Sequence, residues 1–133
     1  MNDPARLMVI EDDPDLMRLM THLLQAAGFE VVQAYGGEDA LRKLKLQAPD
    51  LIVTDLSMPR MSGVEVIERV KGSPEGAGVP CIAVTAHMWD QIAHAASQVG
   101  CDGFVGKPFN GPKLLAEITK FVPLPTKMRA ARP

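Results

Sequence analysis

The sequence predicts an α/β fold in which a doubly wound, five-stranded parallel sheet carries five helices. Short apolar runs alternate along the chain with segments whose apolar residues recur at helical spacing. Because strands that alternate with helices form right-handed βαβ units, this alternation predicts a parallel sheet. The length of 133 residues fits one domain.

The predicted strands are short and mostly apolar. The third strand is apolar except for its last residue, which is typical of a central parallel strand that is covered on both faces. The strands are predicted over residues 7–10, 30–34, 51–54, 81–85 and 103–105.

The predicted helices begin and end at residues that favour helix ends. Asp13 is a candidate N-cap of the first helix, with Pro14 in its first turn and Gly28 at its end. Asn110 is a candidate N-cap of the last helix. The four later helices are predicted over residues 37–47, 63–70, 89–99 and 110–122.

Composition and charge argue against several classes of protein. The net charge of -2 disfavours a broad nucleic-acid surface, which would need many positive side chains. The sequence contains no stretch of about 18 consecutive apolar residues, the length that a membrane span needs. The first apolar run is too short for a secretory signal. Cys81 and Cys101 lack the spacing of a metal site and are expected to be free thiols. A cytoplasmic protein is therefore expected.

Polar side chains follow or end four of the predicted strands. Glu11 and Asp12 follow the first strand, and Asp55 follows the third. Thr85 ends the fourth strand, and Lys107 comes shortly after the fifth. The carboxyl ends of parallel strands face the crevice where open α/β sheets hold their ligands. Three clustered carboxylates call for a cation, and with a hydroxyl and an ammonium they predict a pocket for a divalent metal and a phosphoryl group.

Four motifs together resemble those of a bacterial response-regulator receiver domain of the stand-alone, chemotaxis-regulator type. They are VIEDDP, LIVTDLSMPRMSG, AVTA and GKPF, in this order, and the similarity covers residues 5–122. The resemblance implies a flavodoxin-like sheet with strand order 2-1-3-4-5. Residues 123–133 are predicted to form a disordered basic tail, because they contain three prolines and three positive charges.

The resemblance implies a role for each residue of the pocket. Asp55 would be the phosphoacceptor, because a carboxylate can attack phosphorus and form an acyl phosphate. Asp12 would bind Mg²⁺ directly and Glu11 through water, with Mn²⁺ as the alternative ion. Asp55 and the backbone carbonyl of Ser57 would complete the protein ligands. Lys107 would pair with Asp55 and then with a phosphoryl oxygen.

A conformational switch is also implied by the resemblance. Thr85 would turn toward the phosphoryl group and leave room for Phe104, which lacks a hydroxyl and would act by packing alone. Ser57 and His87 are candidate modulators of the phosphoryl lifetime. The peptide bond before Pro108 is expected to be cis.

The implied partners are proteins. The phosphoryl donor would be a sensor histidine kinase or a histidine phosphotransfer protein, and the output would pass to a downstream protein target. The implied contact face combines the fourth helix, the fifth strand and the fifth helix, and includes Trp89, Ile92, Phe104 and Val105. Trp89 by itself is more simply expected to be partly buried at the start of the fourth helix. Neither nucleic acid nor a membrane is expected as a direct partner.

Three alternatives remain open from the sequence. The chain could be a receiver cut from a larger multidomain regulator. A Mg²⁺-dependent phosphohydrolase with an aspartyl nucleophile would carry a second Asp where this chain has Ser57, and it would need cap segments for which there is no room. A nucleotide binder of the same fold would have a glycine-rich phosphate loop after the first strand, where this chain has acids. A receiver assists its own phosphorylation and dephosphorylation and is not otherwise expected to be an enzyme.

Overall fold

A five-stranded parallel sheet with helices on both faces forms the fold of residues 4–86 and 88–125, which are the residues that this computed structural model describes. The strand order is β2-β1-β3-β4-β5, as the resemblance implies. The elements are β1 (Arg6–Ile10), α1 (Pro14–Ala26), β2 (Glu30–Ala34), α2 (Gly37–Leu46), β3 (Leu51–Asp55), α3 (Gly63–Lys71), β4 (Cys81–Thr85), α4 (Gln91–Gln98), β5 (Gly103–Gly106) and α5 (Gly111–Ile118).

Two helices are shorter than the sequence predicts. Helix α4 begins at Gln91 and not at residue 89, because the Asp90 carboxylate caps it by accepting the backbone N–H groups of Ile92 and Ala93. Helix α5 ends at Ile118 and not at residue 122, because the chain turns over residues 119–122. Asp13 and Asn110 cap α1 and α5, as predicted. The other boundaries agree with the predictions to within two residues.

Two apolar layers separate the sheet from its helices. Successive strand side chains point to opposite faces, so sequence neighbours such as Leu7 and Met8 enter different layers. The first layer lies under α1 and α5 and the second under α2, α3 and α4. Because both faces are covered, a ligand can reach the central strands only at an edge of the sheet.

The two strands at the centre of the sheet are buried along their whole length. Every residue of β3 and β4 is buried, which fits the prediction of a central strand covered on both faces. Asp55 is the last residue of β3, and Thr85 is the last residue of β4. These two polar residues are therefore held at the carboxyl edge by the most buried part of the fold.

A polar network closes the opposite, amino-terminal end of the sheet. The Lys71 ammonium at the end of α3 lies 2.8 Å from the Asp102 carboxylate, and it donates to the Val79 carbonyl oxygen at 2.8 Å. The same Asp102 oxygen accepts the Cys81 backbone N–H at 2.8 Å. The network therefore joins α3 to the starts of β4 and β5.

The two cysteines are free, as predicted. Cys81 is buried at the start of β4, whereas Cys101 is half-buried in the loop before β5. Burial raises the pKa of the Cys81 thiol to about 12, because the thiolate would be desolvated. The structure thus places Cys81 as a packing residue.

The end of the described chain packs on the core. Val122 is buried and Leu124 is half-buried against the layer under α1 and α5. The first residues of the predicted tail, 123–125, therefore lie against the domain, and residues 126–133 lie outside the described part of the chain. Among the helices that the structure describes, none is long and apolar enough to cross a membrane.

Candidate functional site

The carboxyl edge of the sheet brings the predicted site residues together. Strand pairing places Asp55 opposite Val84 and Thr85 opposite Gly106, so the ends of β3, β4 and β5 lie side by side. Strand β1 lies on the other side of β3 and leads into Glu11 and Asp12. Carboxylate oxygens of Glu11, Asp12 and Asp55 all lie within 4.8 Å of one another. The predicted acidic cluster therefore exists in the fold.

Glu11 is the most buried member of this cluster. Its backbone N–H donates to the Ala34 carbonyl oxygen at 3.0 Å, which continues the pairing of β1 with β2. The Glu11 Oε2 atom accepts the Asp13 backbone N–H at 2.9 Å. Burial, helped by the negative charge of Asp55, raises the pKa of Glu11 to about 7, although the hydrogen bond from the Asp13 backbone N–H works in the opposite direction. Glu11 is thus an acid whose charged form needs a nearby cation.

The acidic cluster fits a hard divalent cation. The Glu11 Oε1 atom is buried and has no hydrogen-bond partner among the described residues. Leaving a buried carboxylate oxygen unpaired is costly, and a metal ion or its bound water would satisfy it. Asp12, the least buried of the three acids, adds an oxygen nearer to solvent. Carboxylate oxygens with room for water are the ligands that Mg²⁺ prefers.

Asp55 is held by two neighbours, one on each carboxylate oxygen. The Lys107 ammonium lies 3.2 Å from Asp55 Oδ2. The Ser57 backbone N–H donates to Oδ1 at 3.2 Å. The Asp55 side chain is 9% exposed and that of Lys107 is 28% exposed, so water screens this ion pair only in part. The peptide bond between Lys107 and Pro108 is cis, as expected.

Helix α3 begins in direct contact with the backbone of Asp55. Ser62 caps the helix by accepting the Glu65 backbone N–H at 3.2 Å. The Gly63 backbone N–H donates to the Leu56 carbonyl oxygen at 2.9 Å. A Cβ atom added to Gly63 would lie 2.1 Å from the Asp55 carbonyl oxygen, so only glycine allows this approach. The contact fixes the segment that carries Asp55 and Ser57.

The two predicted switch residues lie on neighbouring strands. Thr85 is 2% exposed, and its carbonyl oxygen accepts the Lys107 backbone N–H at 2.9 Å. Phe104 pairs with Ala83 in the sheet and packs half-buried against the layer under α2, α3 and α4. Phe104 also lines a surface groove of about 400 Å³ beside α4. His87, the other residue predicted near this edge, lies outside the described residues.

The expected partial burial of Trp89 is wrong, and so is the expected accessibility of Val105 on the contact face. Trp89 is 95% exposed and precedes α4, so it is not partly buried in that helix. Val105 is 5% exposed and belongs to the layer under α1 and α5. Phe104 and Val105 point to opposite faces because they are neighbours in a strand. Of the four residues expected on the contact face, the structure leaves Trp89, Ile92 and part of Phe104 accessible.

A cleft beside Asp12 was not predicted from the sequence. It has a volume of about 260 Å³ and lies between the start of α2 and the loop before α3. Its lining includes Tyr35, Gly36, Gly37 and Arg60. The sequence features that form it are the glycine pair at the start of α2 and an arginine in the loop after Asp55. They are far apart in the sequence, so only the folded structure shows that they line one cleft.

Comparisons with known proteins agree with this geometry. The family model described as the response regulator receiver domain matches residues 7–119. The polar-differentiation response regulator DivK of Brucella anthropi is 32% identical over 119 residues, covering 90% of this chain and 97% of DivK.

Solved structures show the same fold. The chemotaxis protein CheY4 of Vibrio cholerae superposes with a TM-score of 0.86 at 28% identity, over 90% of this chain and 99% of CheY4. The receiver domain of the sensor histidine kinase PA1611 from Pseudomonas aeruginosa superposes with a TM-score of 0.83 at 24% identity, over 89% of this chain and 97% of that domain. That structure has a magnesium ion coordinated in its active site cleft. The chain therefore belongs to the family of response regulator receiver domains, which act in two-component signalling.

Proposed function

We propose that Asp55 is the phosphoacceptor of this receiver domain. The observation that supports this proposal most directly is the 3.2 Å contact of Asp55 with Lys107 inside a cluster of three carboxylates. An isolated surface aspartate would have no reason to be held in this way at the end of a fully buried strand. Receiver domains are signalling phosphoacceptors, and the protein assists a reaction on its own side chain without turning over a separate substrate.

The chemistry follows from the positions of the charges. An Asp55 carboxylate oxygen forms a bond to the phosphorus of the donor while the bond from phosphorus to the donor's leaving group breaks, and the electron pair of that bond departs with the leaving group; the product is an acyl phosphate on Asp55. Phosphoryl transfer needs in-line positioning and neutralisation of the phosphoryl group's negative charge more than covalent help. Lys107 moves its charge from the Asp55 carboxylate to an incoming phosphoryl oxygen. Thr85 offers its hydroxyl to another phosphoryl oxygen and so reports that the group has arrived.

Glu11, Asp12 and Asp55, with the Ser57 backbone carbonyl, would hold Mg²⁺ in this pocket. The unpaired buried oxygen of Glu11 and the magnesium ion in the cleft of the PA1611 receiver support this assignment. The bound ion would neutralise charge on the phosphoryl group. Mn²⁺, which takes the same hard oxygen ligands, is the alternative.

The proposed donor is a sensor histidine kinase or a histidine phosphotransfer protein. The proposed output is a change at the face of α4 and β5, where Thr85 turns inward and Phe104 repacks. Trp89 is exposed and lines the same groove as Phe104, and it offers a downstream protein an apolar contact surface; Ile92 is exposed on another side of α4. Ser57 at the pocket and His87 two residues after Thr85 are proposed to set the lifetime of the phosphoryl group.

We propose a receiver unit over residues 5–122 against which residues 123–125 also pack, followed by the rest of the basic tail, and we propose that it works in the cytoplasm. DivK, which the match covers to 97%, is a response regulator, and a segment of the hybrid signal transduction histidine kinase D from Dictyostelium discoideum matches this chain as well. A receiver unit that forms part of a larger regulator would have the same site chemistry. The tests below apply to both arrangements.

The direct test is the intact mass of the protein after incubation with Mg²⁺ and acetyl phosphate. We expect the wild type to gain one phosphoryl group and the Asp55→Asn variant to gain none, because the amide cannot act as the nucleophile. Asp50→Asn is the matched control, since Asp50 lies at the opposite end of β3 and should leave labelling unchanged. An acyl phosphate that persists in Asp55→Asn would reject the assignment.

A further inference from the structure

The cleft beside Asp12 adjoins the proposed phosphoryl site. It shares Asp12 with the acidic cluster and extends about 260 Å³ between the start of α2 and the loop before α3. Apart from Asp12, its lining contains none of the residues proposed to bind the metal or accept the phosphoryl group. A molecule that reacts at Asp55 could therefore extend into this cleft.

Arg60 brings a positive charge to a cleft whose lining otherwise carries only acids as charged residues, and none of the described residues pairs with this arginine. Its side chain is exposed, and no ion pair or hydrogen bond engages it within residues 4–86 and 88–125. The neighbouring cations differ, since Arg42 and Lys43 both pair with Asp39. Arg60 also has φ 69, a backbone conformation that glycine adopts readily and that other residues rarely adopt. An arginine thus stands where glycine would be the easier residue.

The opposite wall of the cleft adds a second feature that favours anions. Helix α2 begins there, and its N-cap residue Gly36 makes no side-chain hydrogen bond to the first turn. The first backbone N–H groups of a helix lack partners within the helix, and the helix dipole makes this end positive. Two acids in the first turn, Glu38 and Asp39, oppose an anion on this wall, but among the described residues only Asp39 is already paired with cations.

We propose that this cleft receives the leaving group of a small phosphodonor, and that Arg60 makes the protein favour donors whose leaving group is a carboxylate. Such donors are acyl phosphates. The inference rests on the proposed role of Asp55 and adds a determinant of donor choice outside the phosphoryl pocket.

The reaction explains why the leaving group's charge matters. With an acyl phosphate, an Asp55 oxygen forms a bond to phosphorus while the bond between phosphorus and the acyl oxygen breaks. The electron pair leaves with that oxygen, so the departing carboxylate carries a full negative charge and needs no proton. With phosphoramidate, the bond between phosphorus and the already protonated nitrogen breaks, and neutral ammonia leaves. Arg60 can stabilise the first leaving group and gains nothing from the second.

The experiment compares phosphorylation rates with acetyl phosphate and phosphoramidate, both followed by intact mass at low salt with Mg²⁺. Arg60→Gly removes the charge at a backbone position that suits glycine, so this variant should fold. We expect its ratio of acetyl phosphate rate to phosphoramidate rate to fall about fivefold, the effect of one charge at about 4 Å in water. Arg60→Lys should keep most of the wild-type ratio, and Glu38→Gln should raise it.

The outcomes separate this inference from the proposed function. A wild type that accepts both donors, with an unchanged ratio in Arg60→Gly, overturns the role of Arg60 and leaves Asp55 as phosphoacceptor. A wild type that accepts neither donor counts against Asp55 itself and takes the inference with it. An effect of Arg60→Gly that shrinks at 0.5 M salt supports a charge interaction, because salt screens exposed charges. A salt-independent effect contradicts it.

Discussion

Replacing Gly63 by alanine tests how tightly α3 is packed against the backbone of Asp55. The added Cβ would lie 2.1 Å from the Asp55 carbonyl oxygen and 2.7 Å from the Leu56 Cα atom. To reach the 3.4 Å of ordinary contact, the carbonyl oxygen would have to retreat by about 1.3 Å. Because the obstacle is the backbone of a buried strand, no flexible side chain can relieve the clash.

The expected cost follows from this geometry. Overpacking a well-packed region costs up to about 3 kcal/mol, and a backbone obstacle places Gly63→Ala at the upper end. Alanine regains at most about 1 kcal/mol through its better helix propensity, since that is the value for a helix interior and Gly63 is the first residue of α3. We therefore expect a net loss of about 2 kcal/mol in the free energy of unfolding, or about 7 °C in Tm for a chain of this size. We also expect Mg²⁺ affinity to fall about tenfold, since the displaced segment carries Asp55 and Ser57.

Urea denaturation and calorimetric titration with Mg²⁺ measure these two quantities. Gly78→Ala is the matched control, because a Cβ atom at Gly78 would meet nothing within 4 Å. Its stability should stay within about 0.5 kcal/mol of the wild type. If Gly63→Ala behaves like Gly78→Ala in both assays, the close approach of α3 to Asp55 does not position the site.

Three further predictions concern the metal, the thiols and a helix cap. Mg²⁺ at a hundredfold excess over its Kd should stabilise the wild type by about 2.7 kcal/mol and raise its Tm. The Asp12→Asn variant should lose most of that rise in Tm. An equal rise in the variant and the wild type would place the metal elsewhere. Cys81 should resist iodoacetamide at pH 8 in the folded protein and react in urea, because its pKa of about 12 leaves little thiolate; rapid labelling of the native protein, mapped by peptide mass, would contradict its burial. Asn110→Ala should cost about 1 kcal/mol in urea denaturation, because the Asn110 side chain accepts the Lys113 backbone N–H at 2.9 Å. Lys113→Ala, which keeps that N–H, should cost less, and an equal loss would argue against the cap.

The sequence predicts the sheet and the acidic cluster because both depend on local patterns. An apolar strand that ends in a polar residue shows which residue lies at the carboxyl edge of the sheet. Asp55 at the end of β3 is the clearest case. The parallel order of the strands then brings such residues together without further information. The resemblance supplied the strand order, which periodicity alone does not contain.

Other features depend on contacts between distant segments. Trp89 was expected at the start of α4, because the sequence around it does not show at which residue the helix begins. In the structure Asp90 caps α4, so the helix begins after Trp89. Trp89 is almost fully exposed. The approach of Gly63 to Asp55 and the cleft at Arg60 likewise appear only when two loops are brought together in space.

The burial of β3 and β4 has a consequence for how long a signal can last. Amide groups in strands buried on both faces exchange with solvent only in large openings of the molecule, whereas loops open often and at low cost. Asp55 ends one of these strands, so ordinary breathing of the surrounding loops leaves its position unchanged. If Asp55 is phosphorylated as proposed, we expect the entry of water into the pocket, and not the unfolding of the protein, to set the rate at which the acyl phosphate decays.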